Sequence, residues 1–462
     1  MSRPSRFLSA LLCVGLAAAV ALPLAAQPGR VESRVNTYQT GAEKRPRIAS
    51  GGPGGFVLVW EAPGDPGTRV FCRTANAVGG LYDSEFAVTN FVGLTEPDVA
   101  GLTGGQFVVV WTQQPVSGDT LIFGQRYSSN GDPLGDVFAA SNVGGPVFSP
   151  AVASRSDNGS FVVAYEGVPT SDSHHHVFAR RFNSNGSPVG LEINVDDGLL
   201  GENTQPAIMA WSGGFDVAWT NEYPSQNISK DIYARRFNVS GVQVGFDLHV
   251  NNTYTTGSQD SPAIAGKGDG SFVVTWRTNG QDGDLDSIRA RRYAPTGVPS
   301  TAFGVNTFTT GHQSGPRVAV DDDGGFMIVW QSVGQDGDST GVYAQRYDEG
   351  GHLFGGEFRV NAATTGTQYA PAVAGRGSAT YSFVWTAPDA DGTGIFFRSY
   401  CLRGDVNSDG VIDVADVFTF INDLFAGGGA PSCADCNGDG FTDVADVFYL
   451  INYLFASGPG PV

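Results

Sequence analysis

Between about residue 31 and residue 400 the chain is written in short apolar runs bounded by Gly, Pro, Asn and Asp, a pattern that predicts strands. The most regular run is continuous and ends in an aromatic. Its first copy is Phe56-Val-Leu-Val-Trp60, and later copies end at Trp111, Tyr165, Trp219, Trp276, Trp330 and Trp385. The steps between these aromatics are 51, 54, 54, 57, 54 and 55 residues. A spacing this even marks one supersecondary unit repeated seven times.

Three further runs complete each unit. About fourteen residues before the aromatic stands a Pro followed by an apolar pair: Pro46-Arg-Ile-Ala, Pro97-Asp-Val-Ala, Pro150-Ala-Val-Ala, Pro206-Ala-Ile, Pro262-Ala-Ile-Ala, Pro316-Arg-Val-Ala and Pro371-Ala-Val-Ala. After the aromatic comes an alternating run such as Ile232-Tyr-Ala-Arg-Arg-Phe237. A last run ends in Val-Asn, as in Leu248-His-Val-Asn251, Phe303-Gly-Val-Asn306 and Phe358-Arg-Val-Asn361. Four short strands per repeat, joined by turns such as Asn130-Gly131 and Asp323-Gly324-Gly325, describe a blade. The expected fold is therefore mainly β, a seven-bladed β-propeller over residues 31–400; an array of β-sandwiches is the alternative.

The ends of the repeat array favour the ring. The seventh repeat stops after its third run, Ile395-Phe-Phe-Arg-Ser-Tyr400, while Val31-Glu-Ser-Arg-Val35-Asn36 at the other end matches the missing fourth. The N-terminal segment is thus predicted to close the last blade and leave no unpaired sheet edge. The recurring aromatics are expected to fill space between blades. Arg73, Arg126, Arg181, Arg236, Arg292, Arg346 and Arg398 recur on the third run, where a packing or ion-pair role is expected before a ring of ligand contacts. The repeats resemble those of secreted bacterial proteins with a Gly-Gly-Phe-Val-Val-Val-Trp strand and a Gly-Gln-Asp-Gly-Asp loop, here at Gly280 to Asp284 and Gly334 to Asp338; the resemblance implies fold only. The loop aspartates read as turn residues rather than calcium ligands, and His174, His175 and His176 as a solvated loop rather than a metal site. No Gly-x-Ser-x-Gly elbow, His-Glu-x-x-His pair or phosphate-cradling loop occurs, and no catalytic residue is singled out.

After residue 400 the pattern changes. Two segments thirty residues apart carry acidic and amide side chains at the spacing of a calcium loop. In the first, Asp405, Asn407, Asp409, Asp413 and Asp416 supply side-chain oxygens, Val411 a backbone carbonyl and Gly410 the sharp turn. In the second, Asp435, Asn437, Asp439, Asp443, Asp446, Phe441 and Gly440 do the same. Each loop runs into a helical pattern: Val414, Val417, Phe418, Ile421, Leu424, Phe425, then Val444, Val447, Phe448, Ile451, Leu454, Phe455. A calcium loop followed by one helix, given twice, resembles a type I dockerin. The resemblance implies a small all-α domain, here residues 401–462, holding two calcium ions and docking on a cohesin through Val414-Ala415 or Val444-Ala445. These pairs differ from the hydroxyl pair frequent in dockerins of cellulosomes. A self-packed tail whose apolar stripe is its own core is the plainer alternative.

Charge sharpens this division. Asp plus Glu number 46 against 27 Lys plus Arg, a net charge of −19 that argues against nucleic-acid or anionic-membrane partners. Nine of the acids lie after Arg403, with no Lys, Arg or His among them. At the other end Arg3 and Arg6, an apolar run and Ala25-Ala26 read as an export signal over residues 1–26, cleaved rather than kept as an anchor, so no membrane insertion is expected afterwards. A secreted, cell-surface or periplasmic location follows and permits a disulfide among Cys401, Cys433 and Cys436, with the pairing open. The leading reading is a non-enzymatic, calcium-binding protein whose propeller binds a polysaccharide, protein or cell-surface ligand while the tail docks it to a cohesin-type partner. The alternative is a propeller glycoside hydrolase or lyase in polysaccharide breakdown.

Overall fold

The computed structural model describes residues 32–37, 41–52, 55–64, 67–76, 80–82, 84–115, 118–223, 228–253, 256–377, 380–400, 404–406, 412–426, 432–434, 436–437, 442–456 and 458–461. The expected signal, residues 1–26, lies outside them. Seven four-stranded antiparallel sheets form, each a meander of consecutive strands except the last. Blade 6 is representative, with strands Gln313–Val320, Phe326–Val333, Thr340–Tyr347 and Phe358–Arg359. The first strand of each blade packs beside that of the next, and the first strand of blade 7 returns to that of blade 1. The ring expected from the repeat is what forms.

The continuous apolar runs are explained by burial on both faces. Strand Gly55–Ala62 is buried at every position. Its Phe56, Leu58 and Trp60 join Val384, Ile395 and Phe397 of blade 7, whereas Val57 and Val59 join Phe107, Val109 and Trp111 of blade 2. Trp60, Trp111, Trp219, Trp276, Trp330 and Trp385, with Tyr165, are among the largest fully buried side chains, so the aromatic series is inter-blade filling.

The N-terminal segment closes the last blade, as expected. Ser33 and Arg34 pair antiparallel with Phe397 and Phe396 as the outer strand of blade 7. The strand is only two residues long, and its neighbours continue the ladder. Val35 N–H donates to Ile395 O at 2.7 Å, and Asn36 Oδ1 accepts the Ile395 N–H at 2.8 Å. The Val-Asn signature does the same in other blades, where Asn251, Asn306 and Asn361 accept from Ile232, Ile288 and Val342. Side-chain amides thus replace ladder bonds where the fourth strand ends. Arg34 also pairs with Asp389 at 2.5 Å.

At the same seam Glu43 is fully buried, its N–H donating to Thr393 O and its carbonyl accepting from Thr393 Oγ1. Burial pushes its carboxyl up from 4.5 to about 7; Asp389 and Glu85 add to the rise, while its own backbone N–H and Arg34 oppose it. A carboxyl that holds its proton more tightly when folded stabilises fully below the unfolded value, and that stability is lost as pH rises through 7. The Glu43→Gln variant is therefore expected to lose less stability than the parent between pH 5 and pH 8. A difference of roughly 2 kcal/mol is expected from urea unfolding followed by tryptophan fluorescence, and identical pH dependence would contradict this role.

The third-strand arginines are structural staples, but in two series rather than one. Arg126 and Arg181 donate to Asn185 O at 2.7 Å and Val239 O at 2.8 Å of the following blade, as Arg236 and Arg292 do to Pro295 O and Gly350 O. Arg73 and Arg398 stand one residue earlier in the strand and point the other way, to Val35 O at 2.5 Å and Val360 O at 2.8 Å of the preceding blade. They belong with Arg180 and Arg235, which reach back to Ser141 O and Asp197 O. A one-residue shift in a strand exchanges its faces, and in a propeller the two faces meet different blades.

Candidate functional site

Two parts of the chain gather chemistry. The first is the axis of the propeller, a channel of about 420 Å³ lined by the first strands. At its rim the residue before each recurring Pro is bulged out of register. Arg45, Glu96, Ser149, Gln205, Ser261 and Ala370 have φ between 51° and 56°, and Gly315 has 61°. Left-handed backbone costs a non-glycine residue about 1 kcal/mol or more, so it persists only where the surroundings over-determine it. Here they do. Glu61 Oε1 accepts the Glu96 N–H at 2.7 Å and Glu96 Oε2 that of Ser149 at 2.9 Å. Gln205 accepts from Ser261, and Gln331 from Ala370, each at 3.0 Å. Every donor lies one blade beyond its acceptor, so a belt of side chains ties the rim together.

One layer inside the rim, the residue after the Pro lines the channel: Arg47, Asp98, Ala151, Ala207, Ala263, Arg317 and Ala372. Arg47 Nε lies 3.9 Å from Asp98 Oδ1, while Asp98 Oδ2 accepts the Val152 N–H at 2.8 Å. Arg317 Nη1 donates to the Pro316 carbonyl at 2.8 Å, and Arg47 Nη1 to that of Pro46 at 2.9 Å. Burial and the nearby Arg47 hold the Arg317 guanidinium down at about 9, and burial raises the Asp98 carboxyl.

The remaining polar clusters on the blades are paired locally. The histidine loop is less solvated than its sequence suggests. His175 Nδ1 lies 2.6 Å from Glu166, and His176 sits between Asp196 at 3.0 Å and Asp172 at 3.1 Å. The Gly-Gln-Asp-Gly-Asp aspartates act as the turn residues expected: Asp284 and Asp338 accept the N–H groups of Gly311 and Gly366 at 2.8 Å, tying each loop to the turn ahead of the next blade.

The second part is the tail. Helices α1 (Val414–Ala426) and α2 (Val444–Ala456) start alike. Asp413 and Asp443 cap them by accepting the N–H groups of Ala415 and Ala445 at 2.7 Å, and Asp416 and Asp446 reach back to accept those of Asp413 and Asp443 at 2.9 and 3.0 Å. Asp446 Oδ1 also accepts the N–H of Asn437 at 3.0 Å. Asp405, Asp416 and Asp446 are buried, Asp413 and Asp443 exposed. Asn407, Asp409, Val411, Asp435, Asp439 and Phe441 lie outside the described residues. Carboxylates taken out of water in a segment without Lys, Arg or His suit a hard cation with oxygen ligands, and calcium fits that donor set.

The apolar stripe predicted for each helix divides. Val417, Phe420, Val447 and Leu450 face inward with Val406, Ala434 and Cys436, and Leu424 and Leu454 pack against them. Phe420 and Leu450 are core residues that the sequence pattern did not single out. Val414, Phe418 and Phe425 are 47, 68 and 75% exposed, and their counterparts Val444, Phe448 and Phe455 are 43, 66 and 68% exposed. Ala415 and Ala445 are exposed beside them. Cys433 is disulfide-bonded, its partner lying outside the described residues, and Cys436 is buried.

Residues 403–455 match the family model of the dockerin type I domain. The tail is therefore a type I dockerin domain following a seven-bladed propeller, and such domains bind calcium. No curated protein matches the chain. Among solved structures, the chain is similar to a protein of unknown function from Dyadobacter fermentans, with 12% identity, a TM-score of 0.46 and coverage of 66% of this chain and 94% of that one. It is also similar to an α-L-arabinanase from Penicillium chrysogenum, with 14% identity, a TM-score of 0.46 and coverage of 66% and 93%. A sialidase described as Hadza microbial sialidase Hz136 has 10% identity, a TM-score of 0.45 and coverage of 75% and 74%. Likeness at this level says nothing about ligand or reaction. No helix among the described residues is long and apolar enough to cross a membrane.

Proposed function

We propose that this is an exported protein in which residues 1–26 are removed, the propeller of residues 31–400 carries a ligand site, and residues 401–462 dock it on a cohesin-type partner outside the cell. In this reading Asp405, Asn407, Asp409, Val411, Asp413 and Asp416 hold one calcium ion. Asp435, Asn437, Asp439, Phe441, Asp443 and Asp446 hold a second. The observation that carries the docking reading is the exposed apolar face repeated on α1 and α2. A tail that served only as its own core would turn Phe418, Phe425, Phe448 and Phe455 inward, whereas Val417, Phe420, Val447 and Leu450 already fill that core. Large exposed aromatics at matched positions suit a partner surface.

Binding is favoured over hydrolysis on the propeller. The carboxylates near the channel mouth are committed to the frame: Glu61 to Arg45 at 2.9 Å and the Glu96 N–H, Glu96 to Thr112 Oγ1 and the Ser149 N–H. Acids so engaged are poorly placed to serve as a glycosidase pair.

Retention of the full chain on immobilised type I cohesins tests the docking reading. Calcium-dependent capture is expected, with at least tenfold weakening when Phe418 and Phe448 are both changed to Ser. A calcium-loaded chain that passes through such a panel unretained, or a double variant captured as well as the parent, would refute it. A glycan array probed with the same chain reports separately on the propeller.

A further inference from the structure

The channel layer breaks the repeat where packing alone would keep it. Four of its seven positions are alanine, the residue that fits against the axis, yet blades 1, 2 and 6 carry Arg47, Asp98 and Arg317. Placing a guanidinium in a narrow channel is unfavourable unless something compensates its charge. Asp98 is one negative charge facing two guanidinium groups, and its hold is loose: its contact with Arg47 is 3.9 Å, it acts on Arg317 only through space, and its other oxygen is held by the Val152 N–H. Among the described residues Arg317 has its hydrogen bond to the Pro316 carbonyl and no carboxylate within ion-pair distance. This layer therefore carries one net positive charge inside a chain of net charge −19. Each arginine is fixed through Nη1 by the carbonyl of its own Pro, and Arg47 Nε faces Asp98, which leaves Nη2 of Arg47 and Nε and Nη2 of Arg317 for a guest.

We propose that the axial channel binds a small carboxylate, held between Arg47 and Arg317, with Asp98 limiting the site to a single negative charge. The guanidinium fork matches the two oxygens of a carboxylate, and the low-dielectric wall of Ile48, Val99, Ile264 and Val318 strengthens the attraction. The cavity of about 420 Å³ admits a molecule the size of a sugar acid. This deepens the reading of the propeller as a ligand-binding body and is independent of docking by the tail.

The test uses the full calcium-loaded chain in chloride-free buffer, titrated calorimetrically with acetate, glucuronate and chloride. Saturable binding of acetate or glucuronate is expected, stronger than that of chloride. Arg317→Ala should weaken it about tenfold or more, and Asp98→Asn should tighten it. Alanine already occupies this position in four blades, so Arg317→Ala keeps the fold; an unchanged tryptophan unfolding curve verifies that. Absence of saturable carboxylate binding, chloride bound as well as acetate, or affinity unaltered in Arg317→Ala would each overturn the proposal. Glycan binding elsewhere on the blades, with the channel variants inert, would sink this inference and leave the broader ligand-binding reading standing.

Discussion

Deleting residues 32–36 is expected to open the ring and to cost the propeller several kcal/mol of stability. The segment supplies the outer strand of blade 7, the buried Val35, the Asn36 amide that accepts the Ile395 N–H, and Arg34, which pairs with Asp389. Without it the strand Gly392–Tyr400 presents a bare edge. The Arg73 guanidinium also loses the Val35 carbonyl that ties blade 1 to blade 7. Loss of a buried apolar side chain costs about 2–4 kcal/mol, and the lost hydrogen bonds add about 1 kcal/mol each. The measurement is urea unfolding followed by tryptophan emission, since all seven tryptophans lie in the propeller. A peptide of residues 32–37 added in excess should restore part of the loss. A deletion variant as stable as the parent, and monomeric, would mean that the ring closes without this strand.

Asp416→Asn and Asp446→Asn are expected to lower calcium affinity on the order of 100-fold each and, combined, to leave the tail without its helices at millimolar calcium. Both carboxylates are buried, stand at the twelfth position of their loops and accept the N–H of the residue that caps the helix. Asparagine keeps a carbonyl acceptor for that N–H and removes the charge, so the substitution separates calcium binding from capping. The two single variants should resemble each other because the two segments are built alike. Far-UV circular dichroism reads the helices, and tryptophan emission should not change. Helicity of the double variant equal to that of the parent would show that the charges are dispensable.

The blade count, the closing strand and the dockerin tail were legible because each is a local pattern repeated at fixed spacing. Val35-Asn36 could be matched to Val360-Asn361 as a string, and the structure gives both the same hydrogen bonds. What depended on which face a residue takes was harder to read. Arg73 and Arg398 lie close in spacing to Arg126 and Arg346, but one residue along a strand reverses the blade they touch. The helical stripes looked single, since periodicity shows that apolar residues share a side and not how much of that side is covered. Phe418 and Phe420 therefore had to be separated by packing. The channel charges were visible as departures from alanine after the recurring Pro, yet only the ring brings Arg47, Asp98 and Arg317 into one layer. Of the histidine partners, Glu166 lies on the neighbouring strand and Asp196 in the turn that follows the blade's last strand, where sequence proximity gives no signal.

The most direct test is a calorimetric titration of calcium into the metal-stripped full chain, with far-UV circular dichroism recorded at each step. Saturable uptake of two ions per chain is expected, with helicity rising in proportion and tryptophan emission constant, because the proposed calcium loops lie in the tail, which holds no tryptophan. Helices fully formed in the presence of chelator, or no saturable uptake at all, would contradict a calcium-built docking module.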